Sequence, residues 1–322
     1  MRPAAVENAV VPTWSPEDAD IESLAGLLAD RRVCVLSGAG LSTDSGIPDY
    51  RGPTTRHRTR NPVQYRDFMT SEAIRRRYWA RAYLGWPRMA QTKPNASHEV
   101  LARLEDAGVV RGIITQNVDR LHHRAGSRRV IELHGALQDV VCLSCQQMED
   151  RDALQARLSA LNPEFRGLVA EEAPDGDAEL DDAWIDRFVV APCKACGGPL
   201  KPHVVFFGEN VPRPRVDAAW AMWDAADVLL VVGSSLTVFS GFRFVKKAAT
   251  RDLPVAIVNL GPTRGDPLAT LRIDRPLGEV IPALADALVK PQPRVMMRRR
   301  VHDWMPSPYA APGAVPHEWE PV

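Results

Sequence analysis

The chain has 322 residues, 45% hydrophobic and 25% charged, which is about two ordinary folded domains. Its 40 Lys and Arg balance 40 Asp and Glu, so no overall field draws it to nucleic acid or an anionic membrane. Five cysteines are too few for a disulfide scaffold, no apolar run approaches the roughly 18–20 residues that span a bilayer, and residues 1–16 lack a signal-peptide core. A cytoplasmic protein without membrane or direct nucleic-acid partners is expected.

Residues 1–14 and 291–322 read as flexible tails, the second Pro-rich and carrying Arg298-Arg299-Arg300. Between them the elements alternate. Ser15-Pro16-Glu17-Asp18 is a helix start, and Ile21, Leu24, Leu27 and Leu28 give that helix its apolar face. Short apolar runs at 32–36, 112–115, 130–133, 228–232, 255–259 and 271–273 are predicted strands. Helical stretches such as 95–107, stopped by Gly108, separate many of them. Continuous apolar strands linked by helices imply a parallel sheet buried on both faces. The expected fold is therefore α/β, a doubly wound Rossmann-like sheet with a smaller inserted domain. The large domain is assigned to 15–136 and 208–290. The insert, at 137–207, holds two cysteine pairs and an acidic, Pro-containing stretch that breaks the alternation.

Four segments carry chemistry. Gly38-Ala39-Gly40 follows a strand, with Ser42, Ser45 and Gly46 close behind; glycines admit a pyrophosphate to backbone N–H groups, and a helix N-terminus would stabilise its charge. Thr43 stands where the usual fingerprint has a third glycine, so an ordinary tight turn is an equal reading. Cys142 and Cys145, then Cys193 and Cys196, form two C-x-x-C pairs, the second followed by Gly197-Gly198. Four thiolates fill a tetrahedron, which makes one structural zinc ion the expectation and two disulfides or buried thiols the alternative. Cys34, in a strand, reads as core. The polar run Thr115-Gln116-Asn117-Val118-Asp119 ends one strand, where Asp119 also suits a helix cap. His134 ends another, with Gly135 beside it for access, placed for general-base work or for a structural hydrogen bond.

Together these segments resemble the signature of the sirtuins, the NAD-dependent protein deacylases. The matching blocks are Gly38 to Ser42, Ser45 to Arg51, Thr115 to Asp119, Leu133-His134-Gly135, both cysteine pairs, Val204 to Glu209, Gly233 to Leu236 and Val258-Asn259-Leu260, in order over about residues 16–290. The 47 residues between the cysteine pairs and the run Val238 to Phe244 further resemble class II, with Phe239 in place of a common tyrosine. Leu277 and His203 also depart from residues commoner in the family, a Cys and an Asp.

The resemblance implies NAD as co-substrate and acylated proteins as partners. The acyl-lysine carbonyl would attack C1′ of the nicotinamide ribose and expel nicotinamide. His134 would then take a proton from the ribose hydroxyls, giving O-acyl-ADP-ribose and free lysine. Asn117 and Asp119 would line the nicotinamide pocket and Gln116 would hold the ribose. Gly38, Ala39, Gly40 and Ser234 would face the phosphates, and Ser42, Pro48, Asp49, Tyr50, Arg51, Gly233 and Ser235 would also bind NAD. Asn259 would lie near the adenosine ribose and the Leu277 backbone close to the adenine, with Leu260 and Gly261 also binding NAD. A strand at 204–209, with Val205, Phe206, Gly208 and Glu209, and a loop at 235–238 would clamp the peptide as an added strand. Tyr78 and Arg81, three apart on a helix face, resemble the Tyr-x-x-Arg pair of sirtuins that remove succinyl groups, which implies an acidic acyl chain such as glutaryl; a solvated charge among Arg75, Arg76 and Arg77 is the alternative for Arg81. The alternatives are protein mono-ADP-ribosyl transfer, which uses the same electrophile, and a catalytically silent NAD sensor or zinc-bearing adaptor.

Overall fold

In the computed structural model residues 21–49, 62–168 and 180–288 are described. The two expected tails, the Ser15-Pro16 helix start, Tyr50 and Arg51 lie outside them. The elements run α1 Ile21–Leu28, β1 Val33–Ser37, α2 Tyr65–Thr70, α3 Glu72–Gln91, α4 Ala96–Asp106, β2 Val110–Thr115, α5 Leu121–Ala125, β3 Val130–Glu132, β4 Gly135–Cys142, β5 Met148–Asp150 and α6 Arg151–Leu161. They continue as α7 Asp182–Arg187, β6 Leu200–Val204, α8 Arg213–Asp224, β7 Val228–Val232, α9 Phe239–Ala249, β8 Val255–Val258, β9 Leu271–Ile273 and α10 Leu277–Leu288.

Six strands form one parallel sheet in the order β3-β2-β1-β7-β8-β9. All five residues of β1 and of β7 are buried, as continuous apolar runs require when both faces are covered. One face packs on α1, α4 and α10 through Leu24, Leu28, Leu101, Leu104, Val280 and Leu284. The other packs on α8 and α9 through Ala219, Trp223, Phe244 and Val245. The strand order reverses between β1 and β7, and ligands of doubly wound sheets bind beyond the carboxyl ends at such a switch point.

The second sheet is antiparallel, in the order β5-β4-β6, and brings the two cysteine pairs together. Its core departs from the expected boundary. Phe68 of α2 and Tyr78, Trp79 and Tyr83 of α3, assigned by sequence to the large domain, pack with Val140, Leu154, Phe165 and Leu200 of the smaller unit. Trp79 Nε1 donates to Leu200 O at 3.0 Å, and the Tyr78 ring meets those of Phe68 and Phe206 edge-to-face, while Phe68 and Phe206 pack tilted against each other. Two local expectations also change. The phosphate-type turn opens not into an α-helix but into two 3-10 turns, Ala39–Leu41 and Thr43–Ser45. The strand expected at 204–209 ends at Val204. Beyond it, Val205 N–H donates to His134 O (2.8 Å), and Phe207 O accepts from Tyr65 N–H (2.8 Å).

Among the described residues no helix is long and apolar enough to cross a membrane.

Candidate active site

A cavity of about 930 Å³ opens at the switch point, between the two sheets. The loops after β1 and β7 interlock at its floor: Gly38 N–H donates to Val232 O and Gly40 N–H to Gly233 O. A Cβ added at Gly38 would stand 2.7 Å from Ser234 Cβ and 2.8 Å from Gly233 O, so only glycine permits this approach. Such a cradle fits the pyrophosphate of a dinucleotide, whose charge backbone N–H groups can meet. A Gly38→Ala variant should lose about 1–3 kcal/mol of stability by overpacking. It should also lose most of the thermal shift that NAD confers on the native protein; an undiminished shift would contradict the cradle.

The polar run after β2 crosses this floor. Gln116 Nε2 donates to Ser234 Oγ at 2.8 Å. Asn117 Nδ2 donates to Gly38 O at 3.0 Å and to Ser42 Oγ at 3.1 Å, and the Ser42 hydroxyl donates to Asp119 Oδ2 at 2.7 Å. Asp119, one residue ahead of Arg120, the N-cap of α5, accepts from Leu121 N–H through Oδ1 at 2.9 Å, and it also lines the cavity. Burial raises the Asp119 carboxyl above its usual range, against the hydrogen bonds of Leu121 and Ser42.

His134 stands between the sheets. Its Nδ1 lies 3.0 Å from Gln116 O, an atom that can only accept, so Nδ1 carries the proton and Nε2 is left with the lone pair. The Ser240 hydroxyl donates to Nε2 at 2.7 Å. Burial, the largest cause, pushes the imidazole down to about 4; the Gln116 bond opposes this, and the charges of Arg215 and Arg243 add to it. A neutral base at pH 7 follows. Gly135 serves the backbone rather than access: its φ is +80°, and a Cβ there would meet His203 O at 2.0 Å.

The remaining expected residues divide. Ala39, Pro48, Asp49, Ser235, Asn259, Leu260 and Gly261 line the cavity, as do Val205, Phe206, Gly208 and Glu209. Glu209 Oε2 also accepts from Phe206 N–H and pairs with the buried Lys201 ammonium at 2.9 Å, which holds the turn after β6 in shape. Leu277 does not line the cavity; its side chain belongs to the core beneath the sheet. Tyr78 lines the cavity and Arg81 does not, although both are buried on α3. Ser240, Arg243, Trp86 and Arg151 line it without having been assigned a place there. Ser240 and Arg243 lie inside the run at 238–244 quoted above, but only the fold brings that run to His134.

The four cysteine Sγ atoms lie within 4.8 Å of one another, and all four thiols are free. Cys142 to Cys196 is 3.5 Å and Cys145 to Cys193 is 3.8 Å, far beyond a disulfide bond of about 2.05 Å. Zinc–sulfur bonds of about 2.3 Å place tetrahedral sulfurs about 3.8 Å apart, so the donor set fits zinc with no open position.

Behind the floor, His98 and His122 pack edge-to-face with ring centroids 5.1 Å apart, and His122 Nε2 lies 2.8 Å from Ser37 Oγ. Burial holds His98 down at about 4 and His122 well below its usual range. With His134, these groups bind fewer protons folded than unfolded, where the value is near 6.5. Stability is therefore present above 6.5 and lost as pH falls toward 4, by up to about 1.4 kcal/mol per unit for each group. Melting temperature should drop across that window, partly offset by Glu132, whose buried carboxyl is raised to about 7 and so takes up its proton sooner in the folded chain; a rise on acidification toward 4 would contradict the buried neutral histidines.

A family model described as the Sir2 family matches residues 38–240. NAD-dependent protein deacetylase 1 of Mycobacterium avium is 52% identical over 277 residues, 84% of this chain and 96% of that protein. The NAD-dependent protein deacylase Sirt4 of Drosophila melanogaster is 48% identical over 292 residues, 89% of this chain and 93% of that one. A solved structure of Sir2 with a p53 peptide and NAD+ superposes with a TM-score of 0.66 at 30% identity, covering 83% of this chain and 98% of that chain. A family match over residues 38–240 and relatives about half identical over most of their length show that the chain belongs to the Sir2 family.

Proposed function

We propose that the protein is an NAD-dependent protein-lysine deacylase that transfers the acyl group to ADP-ribose and releases nicotinamide and free lysine. The observation that carries this reading is His134: a neutral imidazole whose Nδ1 is locked to Gln116 O, with Nε2 facing a cavity floored by a pyrophosphate cradle. Gly38, Gly40 and Ser234 hold the diphosphate of NAD, and Gln116 orients the nicotinamide ribose. Asn117 and Asp119 border the nicotinamide, where a carboxylate favours the positive charge that builds as the glycosidic bond breaks. Residues 205–209 and 235–238 hold the acyl-lysine peptide by its main chain. The zinc unit at 137–207 completes one wall of the cleft, and the free thiols suit the cytoplasm.

Mixing the protein with NAD and a panel of acyl-lysine peptides tests the reading by mass analysis. O-acyl-ADP-ribose with equimolar nicotinamide is expected. Protein that gains ADP-ribose in its place would indicate transfer, and no product at all would indicate a sensor.

A further inference from the structure

His134 sits on the short link between β3 and β4, strands that belong to different sheets. A side chain on such a link keeps its place against the cavity floor only if both strands are tied to that floor. Main-chain bonds do part of this, since Leu133 N–H donates to Thr115 O and Leu137 N–H to Val118 O. Gln138 Nε2 adds a bond to Asp119 O at 3.1 Å. A further tie comes from Arg120, a side chain that the roles above do not use.

Arg120 directly follows Asp119 and has φ +59°, a left-handed backbone that is costly for a residue with a Cβ and persists only where its surroundings hold it. Its guanidinium spans the link. Nε donates to Glu132 Oε1 of β3 at 3.3 Å, and Nη2 donates to Asp139 Oδ2 of β4. Glu132 stands two residues before His134 and Asp139 five after it, so the two contacts bracket the imidazole. Arg120 is 16% exposed and each carboxylate 13%. His123 Nε2 of α5 lies 3.6 Å from Glu132 Oε1, the charge of Arg215 on α8 acts on both acids, and that of Asp150 on β5 acts on Asp139. Burial, the largest cause, raises both carboxyls, Glu132 to about 7, and Arg120 opposes the rise at each. A carboxyl oxygen accepts from a guanidinium in either protonation state, so the bracket survives titration of Glu132.

Apolar residues of similar volume often stabilise a fold as well as a buried ion network does, whereas a planar guanidinium fixes the direction of the groups it binds. We infer that Arg120 is a positioning residue for the reaction: through Glu132 and Asp139 it holds the His134 link against the loop that carries Asp119. Neither Arg120 nor its two carboxylates line the cavity, so the effect passes through His134 and not through a contact with NAD or peptide. The inference rests on the deacylase reading and adds to it a residue that acts from outside the cavity.

The two steps of the proposed reaction separate positioning from general support. In the first, the acyl oxygen bonds to C1′ as the C1′–nitrogen bond breaks, and nicotinamide leaves with the electron pair. Free nicotinamide can reverse that step, so labelled nicotinamide exchanges into NAD without the base, and only the second step needs His134. A catalytic group displaced by about 1 Å can cost about 10²-fold. With an acetyl-lysine peptide, Arg120→Met should therefore lower kcat for O-acetyl-ADP-ribose by about tenfold or more, leave KM for NAD and peptide within about twofold, and largely spare exchange. Arg120→Lys should recover part of the loss. Arg120→Gly removes the fork while easing the left-handed backbone, so it should stay folded and show the same split. Equal losses of exchange and product would make Arg120 a support for the whole site and overturn the inference. Protein labelled with ¹⁵N-histidine gives a readout without turnover, the His134 ring signal being the one absent from His134→Ala. The native Nδ1–H, bonded to Gln116 O, should exchange slowly with solvent, and about tenfold faster in Arg120→Met and Arg120→Gly. If that protection falls while native protein makes no product, the positioning role stands and the deacylase reading fails; if it is unmoved, the inference falls whatever the turnover.

Discussion

Replacing His134 with alanine is expected to lower O-acyl-ADP-ribose formation by about 10²–10⁴-fold, the usual contribution of a positioned general base. The geometry gives the reason. A proton on Nδ1, fixed by Gln116 O, leaves Nε2 as the basic atom, and in the proposed mechanism a ribose hydroxyl would displace the Ser240 hydroxyl from that lone pair. Because burial has pushed the imidazole down to about 4, the base is unprotonated across the neutral range. The His134-dependent rate of native protein should thus stay level as pH falls through 6.5 and decline only toward 4. Ser240→Ala keeps the tautomer and should cost only a few-fold. Far-UV circular dichroism and melting curves would establish that the alanine variant remains folded. If its turnover stays within threefold of native, His134 is a structural histidine and the proposed mechanism fails.

Much of the large sheet was legible because its strands are short, continuous apolar runs. β7 and β9 fall where the runs at 228–232 and 271–273 do, and Gly108, at φ +77°, follows the turn that ends α4. A strand buried on both faces needs little beyond its own composition to declare itself. Contacts between distant segments were less legible. No local pattern says that α3 shares its core with the cysteine-bearing sheet, since burial of Tyr78, Trp79 and Tyr83 records that they are covered and not by what. The run at 204–209 reads as a strand by composition, but its backbone is claimed at separate points by His134 and Tyr65. At the site, motif residues could be named from their blocks. The state of His134 could not: its tautomer depends on a carbonyl 18 positions away and a hydroxyl 106 positions away. Arg120, similarly, reads as an ordinary arginine until the fold brings Glu132 and Asp139 to it.

Removal of the metal should have the largest effect on the fold. One zinc per chain is expected by elemental analysis, held by Cys142, Cys145, Cys193 and Cys196. Backbone N–H groups of Ser144 and Cys145 point at Cys142 Sγ, at 3.4 and 3.5 Å, an arrangement that favours the thiolate a metal requires. Zinc binding contributes on the order of 10 kcal/mol of apparent folding free energy in small zinc domains. The antiparallel sheet here has three strands, two of them only five and three residues long, and Cys142 and Cys193 are themselves part of its core. Without the ion, that core has little else to close it. Since α3 packs on the same cluster and carries Tyr78 into the cavity, loosening should spread to the active site although no cysteine lines it. Chelation to below about a tenth of the metal, or Cys142→Ser, should therefore expose the three-stranded antiparallel sheet and α6 to proteolysis and abolish turnover, while the six-stranded sheet keeps much of its far-UV signal. Protein that stays protease-resistant and active after the metal has been stripped would show that the thiols are ordinary buried cysteines and that the smaller sheet folds on apolar packing alone.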